Sequence, residues 1–80
     1  MRLDKFLKVS RIIKRRTVAK EVCDRGNVLI NDRPAKASSE VKAGDVLQID
    51  FGQRKIRVEV LSEAESVKAQ DAKELYKILD

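Results

Sequence analysis

The apolar positions of this chain change their spacing twice, and each change predicts a new element. Leu3, Phe6, Leu7 and Ser10 stand at i, i+3, i+4 and i+7, the spacing of one helix face. At about 100° per residue Ile12 would fall on the charged side of a continuous helix. A break or tight turn is therefore predicted between Ser10 and Arg16, with Ile12 and Ile13 re-aimed into the core and Lys14, Arg15 and Arg16 left outside. Thr17 is the expected N-cap of a second helix, because its hydroxyl can accept from an unpaired backbone N–H. Lys20, rather than Glu, follows three residues on, so no capping box forms. Val18, Ala19, Val22 and Cys23 form the predicted buried stripe, and Gly26 is the left-handed stop after Arg25.

Beyond Gly26 the period shortens. Val28 to Ile30, the pair Asn31-Asp32, and Arg33 to Lys36 predict a hairpin, since Asn and Asp tolerate the positive φ of tight turns. Pro34 belongs on an edge, where a missing donor is harmless. Lys42 to Asp45 is a second turn. Val46, Leu47, Ile49 and Phe51 carry a strand, and after Gly52-Gln53-Arg54 the stretch Lys55 to Leu61 alternates, with Ile56, Val58 and Val60 on one side. Residues 62–70 are polar and acidic, as expected of a connector. From Asp71 the spacing of Ala72, Leu75, Tyr76 and Leu79 predicts a helix over 71–80, packed on the same domain. The fold class expected is α+β, with a main domain over 1–61, a connector over 62–70 and a C-terminal helix over 71–80.

Charge sharpens the picture. The chain has 80 residues and net charge +5, yet the first twenty carry eight basic residues against Asp4 alone, a local +7. Such a patch concentrates polyanions and gains free energy by releasing their counterions. Free N–H groups at the start of the second helix, next to Arg15 and Arg16, suit a phosphate. There is one cysteine and no histidine. Cys23 reads as a core residue on an apolar stripe, no thiolate zinc site or disulfide can be built on it, and no cofactor is implied. The three glycines are far apart, so no phosphate-cradling loop is present, and the carboxylates stand singly. A non-enzymatic, cytoplasmic, membrane-free protein is expected.

RLDKFL, then SRIIKRRT-AK, RGNVLINDR-A and VKAGDVLQI, closely resembles the S4 RNA-binding domain over about residues 1–51. The resemblance implies short N-terminal helices packed on a small, mostly antiparallel sheet in the S4-like (alpha-L) fold. It also implies that Arg2, Lys5, Arg11, Arg15, Arg16 and Lys20 contact RNA backbone. Lys8, Lys14 and Thr17 complete the candidate RNA-binding set. Asn31-Asp32 departs from the frequent Asn-Gly and leaves the turn geometry open.

Among stand-alone members, the length and the two ends look most like the small bacterial ribosome quality-control factors. That likeness implies binding to the obstructed large ribosomal subunit, contacts with large-subunit rRNA and peptidyl-tRNA, and support of alanine tailing with an RqcH-like tailing factor, acting as a monomer. Small heat-shock-type ribosome-associated proteins are the nearer alternative. A helix-turn-helix DNA-binding protein, with Val18 to Arg25 as recognition helix, is the more remote one, since Lys20, Glu21, Asp24 and Arg25 make a mixed-sign face. A protein-docking role for the 71–80 helix is a third.

Overall fold

The computed structural model describes residues 1–63 and 68–79. Two helices, α1 (Leu3–Val9) and α2 (Arg16–Asp24), precede five strands: β1 (Val28–Ile30), β2 (Arg33–Pro34), β3 (Val46–Asp50), β4 (Lys55–Val60) and β5 (Tyr76–Ile78). The strands form one sheet in the order β2-β1-β3-β4-β5, and every pairing is antiparallel. The expected α+β class and mostly antiparallel sheet are therefore what the chain builds.

Leu3, Phe6 and Leu7 from α1 and Ala19 and Cys23 from α2 are buried against Val28, Leu47, Ile49, Val58 and Val60 of the sheet. Alternation along β3 and β4 gives one core face and one wetter face, as the period of two requires. Ile13 is buried and Ile12 half-buried against the same cluster, so both follow the predicted turn into the core. Burial pushes the Cys23 thiol up to about 12, aided by the negative charges of Asp4 and Asp24.

The Asn31-Asp32 turn takes positive φ at both central residues, 51° and 67°. That is the I′ pattern, whose twist matches the strands it joins, so Asp32 accepts the conformation usually given to glycine. Pro34 lies on edge strand β2 as expected. Gly26 ends α2 with φ 82°, the Gly26 N–H bonding Cys23 and the Asn27 N–H bonding Val22. These two bonds define a Schellman stop.

Four expectations need correction. Helix α2 begins at Arg16 with Arg15 as an extended N-cap, and no side chain caps it, so Thr17 is the second helical residue rather than the cap. Val18 is 41% exposed, because α2 rolls onto Ala19 and Cys23 and leaves the edge of the stripe in water. Strand β3 stops at Asp50, and Phe51 stands outside the core at 38% exposure. The helix over 71–80 does not form: a 3-10 segment covers Ala69–Leu75, and Tyr76–Ile78 is a strand paired with β4. Ala72 and Leu75, three residues apart, share one face of a 3-10 turn and are both buried. The unfilled edge of β4 then offers backbone partners that a continued helix would have left unused. Of the connector over 62–70, residues 64–67 lie outside the described residues.

Candidate nucleic-acid interface

The geometry of the basic surface is set by one buried acid. Asp4, in the first turn of α1, is 3% exposed. Its Oδ1 accepts the Lys5 N–H at 2.8 Å and the Arg2 Nε–H at 3.2 Å, and its Oδ2 accepts the Arg16 Nε–H at 3.4 Å. Burial raises the Asp4 carboxyl, but the hydrogen bonds from Arg16 and Arg2 and the Lys5 N–H outweigh it and hold the group below its ordinary value. The carboxylate is therefore ionised at neutral pH. It braces Arg2 and Arg16, two and twelve residues away from it in sequence, while about half of each arginine side chain stays exposed.

Backbone bonds fix this corner from below. The first N–H groups of α1 have no intrahelical partner. Leu3 N–H donates to the Ser39 carbonyl at 2.8 Å and Asp4 N–H to the Ala37 carbonyl at 3.2 Å. The Ala37 N–H in turn donates to Asp24 Oδ1 at 3.3 Å, near the end of α2. Residues 37–41 thus strap both helices, and the bridge between Arg2 and Glu40 and the Val41 N–H bond to the Met1 carbonyl continue the strap.

The turn between the helices carries the remaining cations. Ser10 is buried, its Oγ donating to the Leu7 carbonyl at 3.2 Å. Arg11 follows with φ 61°, the left-handed conformation that commonly ends a helix at glycine. An arginine here costs backbone strain and keeps a guanidinium at the bend. Lys8, Arg11, Lys14, Arg15, Arg16, Thr17 and Lys20 are all exposed, while Arg2 lies across Asp4 and Lys5 is half-buried. The structure brings Arg2 and Arg16 together and strings Arg11, Lys14 and Arg15 along the loop into α2. Lys20, one turn further along α2, extends the row.

The uncapped start of α2 adds backbone N–H groups and the positive end of a helix dipole beside Arg15 and Arg16. Two guanidinium groups held by a buried carboxylate, next to free amides and further cations, can seat phosphates at fixed spacing. Asp4 is the member of this candidate site that charge counting overlooks, because it enters that count as a lone opposing acid. Its position between two basic residues in the first turn is the available signal. Among the described residues, no group of three or more His, Cys, Asp or Glu is placed to hold a metal ion, and no helix is long and apolar enough to cross a membrane.

Comparison with known proteins agrees with this architecture. The S4 domain family model matches residues 1–47. The chain is 56% identical over 79 residues to the RQC P-site tRNA stabilizing factor of Bacillus subtilis, covering 99% of this chain and 92% of that one. The factor of the same name from Halalkalibacterium halodurans is 54% identical over 78 residues, covering 98% and 89%. The heat shock protein 15 homolog of Haemophilus influenzae is more distant, 31% identical over 77 residues that make up 95% of this chain and 59% of that protein. The trimeric structure of heat shock protein 15 from Vibrio cholerae superposes with a TM-score of 0.89 at 28% identity, covering 98% of this chain and 80% of that one. Nearly full-length identity above one half, together with the S4 family match over residues 1–47, shows that the chain belongs to the S4 domain family and, within it, to the RQC P-site tRNA stabilizing factors.

Proposed function

We propose that this chain is an RqcP-type ribosome quality-control factor that binds the obstructed large ribosomal subunit through the α1–α2 corner. It contacts large-subunit rRNA and peptidyl-tRNA, and it supports alanine tailing of the stalled nascent chain with an RqcH-like tailing factor. It acts in the cytoplasm as a monomer and performs no chemistry itself. The observation that carries this is the pair Arg2 and Arg16 braced on buried Asp4, in a chain that matches P-site tRNA stabilizing factors over 99% of its length.

A-form RNA hides its major groove and presents phosphates and 2′-hydroxyls, so fixed cations recognise its shape and backbone spacing. Arg2, Lys5, Lys8, Arg11, Lys14, Arg15, Arg16, Thr17 and Lys20 are the residues assigned to that contact. With about five phosphates engaged, log affinity should fall with log salt at a slope of roughly −3.5 to −4.5. Helix α2 is a poor DNA reader, because Ala19 and Cys23 are buried and the exposed Lys20, Glu21 and Asp24, with Arg25 at its C-cap, make a face of mixed sign.

The test is cosedimentation with large subunits that carry peptidyl-tRNA and with empty ones. Preferential binding to the loaded subunits is expected, and Arg16→Ala should weaken it strongly while the protein stays folded, its thermal midpoint falling by no more than expected for Asp4→Asn. Equal binding to duplex DNA and to structured rRNA would refute the assignment.

A further inference from the structure

The two phenylalanines and one tyrosine of the chain have different fates. Phe6 is fully buried and Tyr76 is half-buried at the start of β5, but Phe51 stands at 38% exposure on the tip of the β3–β4 hairpin. The tip is rigidly built. The Phe51 N–H donates to the Arg54 carbonyl at 2.8 Å, and the Gly52 N–H donates to Asp50 Oδ1 at 2.8 Å. Gly52 has φ 89°, so positive φ falls on the first of the two central residues, a position that favours glycine in a two-residue hairpin loop. Across this loop the Arg54 guanidinium carbon sits 5.8 Å from the centroid of the Phe51 ring, within cation–π range.

Strand alternation places Phe51 with Leu47 and Ile49, and Arg54 with Ile56 and Val58, on the helix-bearing side of the sheet. The strand end that leads into the tip lies beside the segment leaving α2, since the Asp50 N–H donates to the Asn27 carbonyl at 2.8 Å, three residues past the helix. Helix α2 therefore begins at the Arg15-Arg16 corner, and the chain leaving its other end pairs with the strand that leads to the Phe51-Arg54 tip. The helix itself, nine residues at 1.5 Å each, is about 14 Å long. Arg54 and Lys55 are exposed at the tip.

An exposed aromatic ring with a guanidinium held over it, on the same small domain as a phosphate-gripping corner, fits a flat π-faced partner better than a peptide. We infer that Phe51 and Arg54 form a stacking platform for an unpaired RNA base, a second contact on the same RNA. This contact rests on the RNA-binding assignment of the helix corner and adds to it. Stacking tolerates any base, because each presents a π-face. The corner fixes the backbone, and the tip selects RNA in which a nearby base is free to leave its helix.

The chain contains no tryptophan, so Phe51→Trp supplies a single reporter. The probes are an RNA stem interrupted by a bulge of unpaired adenines and the same stem without the bulge. Quenched emission with the bulged stem, and little change with the continuous one, is expected. Phe51→Ala and Phe51→Leu should each weaken binding to the bulged stem about tenfold and leave the continuous stem unaffected. Circular dichroism melting confirms that both variants remain folded. If wild type prefers neither stem, or if both variants bind the bulged stem as wild type does, the stacking platform is refuted while the corner stands. If wild type binds neither stem, the RNA assignment falls and the platform with it. Emission that responds to the tailing factor and not to RNA would reassign the tip to protein docking.

Discussion

Replacing Asp4 by Asn separates bracing from simple charge attraction, because the two predict opposite signs. The substitution removes one negative charge, so a protein that merely attracts RNA should bind more tightly. A phosphate about 10 Å away would gain only about 0.4 kcal/mol at the dielectric of water, and salt at physiological strength screens much of that. Bracing acts the other way. Arg2 and Arg16 each lose a charged acceptor, at 3.2 and 3.4 Å, and become mobile. Immobilising a rotamer-rich side chain on binding costs about 0.5–1.5 kcal/mol, so two arginines cost about 1–3 kcal/mol. Loss of bracing wins, and affinity for structured rRNA should fall roughly five- to hundredfold.

Stability should fall less. Asn can still accept the Lys5 N–H, and both arginines are about half exposed, so each lost pair is worth well under the buried value after solvent screening. About 1 kcal/mol is expected, a shift of roughly 4–8 °C in a domain of this size. The carboxyl is held below its ordinary value in the fold, so its contribution is full above the unfolded value of 3.8 and is lost as pH falls through the lower folded value. Wild type and Asp4→Asn should therefore differ in urea midpoint at neutral pH and converge in strong acid. Filter binding at fixed salt reads the affinity. Tighter RNA binding by Asp4→Asn, or an unchanged salt slope with unchanged affinity, would refute the bracing role.

Arg11→Gly should raise stability by about 1 kcal/mol by relieving the left-handed strain, yet weaken RNA binding and lower the salt slope by about one phosphate, which denaturation and filter binding would show together. Asp32→Gly should stabilise by about 0.5–1 kcal/mol in urea melts with no effect on RNA affinity, since φ 67° suits glycine and the turn lies away from the helix corner. Arg16→Lys should fail to restore the binding lost in Arg16→Ala, because an ammonium cannot copy the guanidinium fork that holds Asp4 with one nitrogen and leaves others for phosphate. Cys23 should resist alkylation at pH 8 in the native protein and react promptly in denaturant, in keeping with a buried thiol pushed to about 12.

Periodicity was sufficient wherever a local pattern met a single burial requirement. Leu3, Phe6 and Leu7 could face the core only from a helix, and Val58 and Val60 only from a strand. Asn31-Asp32, Gly26 and the Lys42 to Asp45 turn were readable because their residue types satisfy particular backbone angles. The resemblance of four sequence blocks carried the S4 fold. The end of α1 was less legible, since Arg11 occupies a conformation that sequence patterns associate with glycine, and strain at a functional bend leaves no compositional mark.

Some features depended on partners distant in sequence. The segment after Leu75 became a strand because the β4 edge needed hydrogen bonds, a demand invisible in the spacing of Ala72, Leu75, Tyr76 and Leu79. Phe51 alternated like a core residue, but β3 stops at Asp50 and the hairpin turn leaves the ring at the surface. Above all, the basic stretch from Arg2 to Lys20 was evident as charge, but its geometry was not. Arg2 and Arg16 converge because Asp4 is buried between them and residues 37–41 hold both helices in place. Charge is additive along a sequence, whereas its direction in space is set by the buried groups to which the side chains are tied.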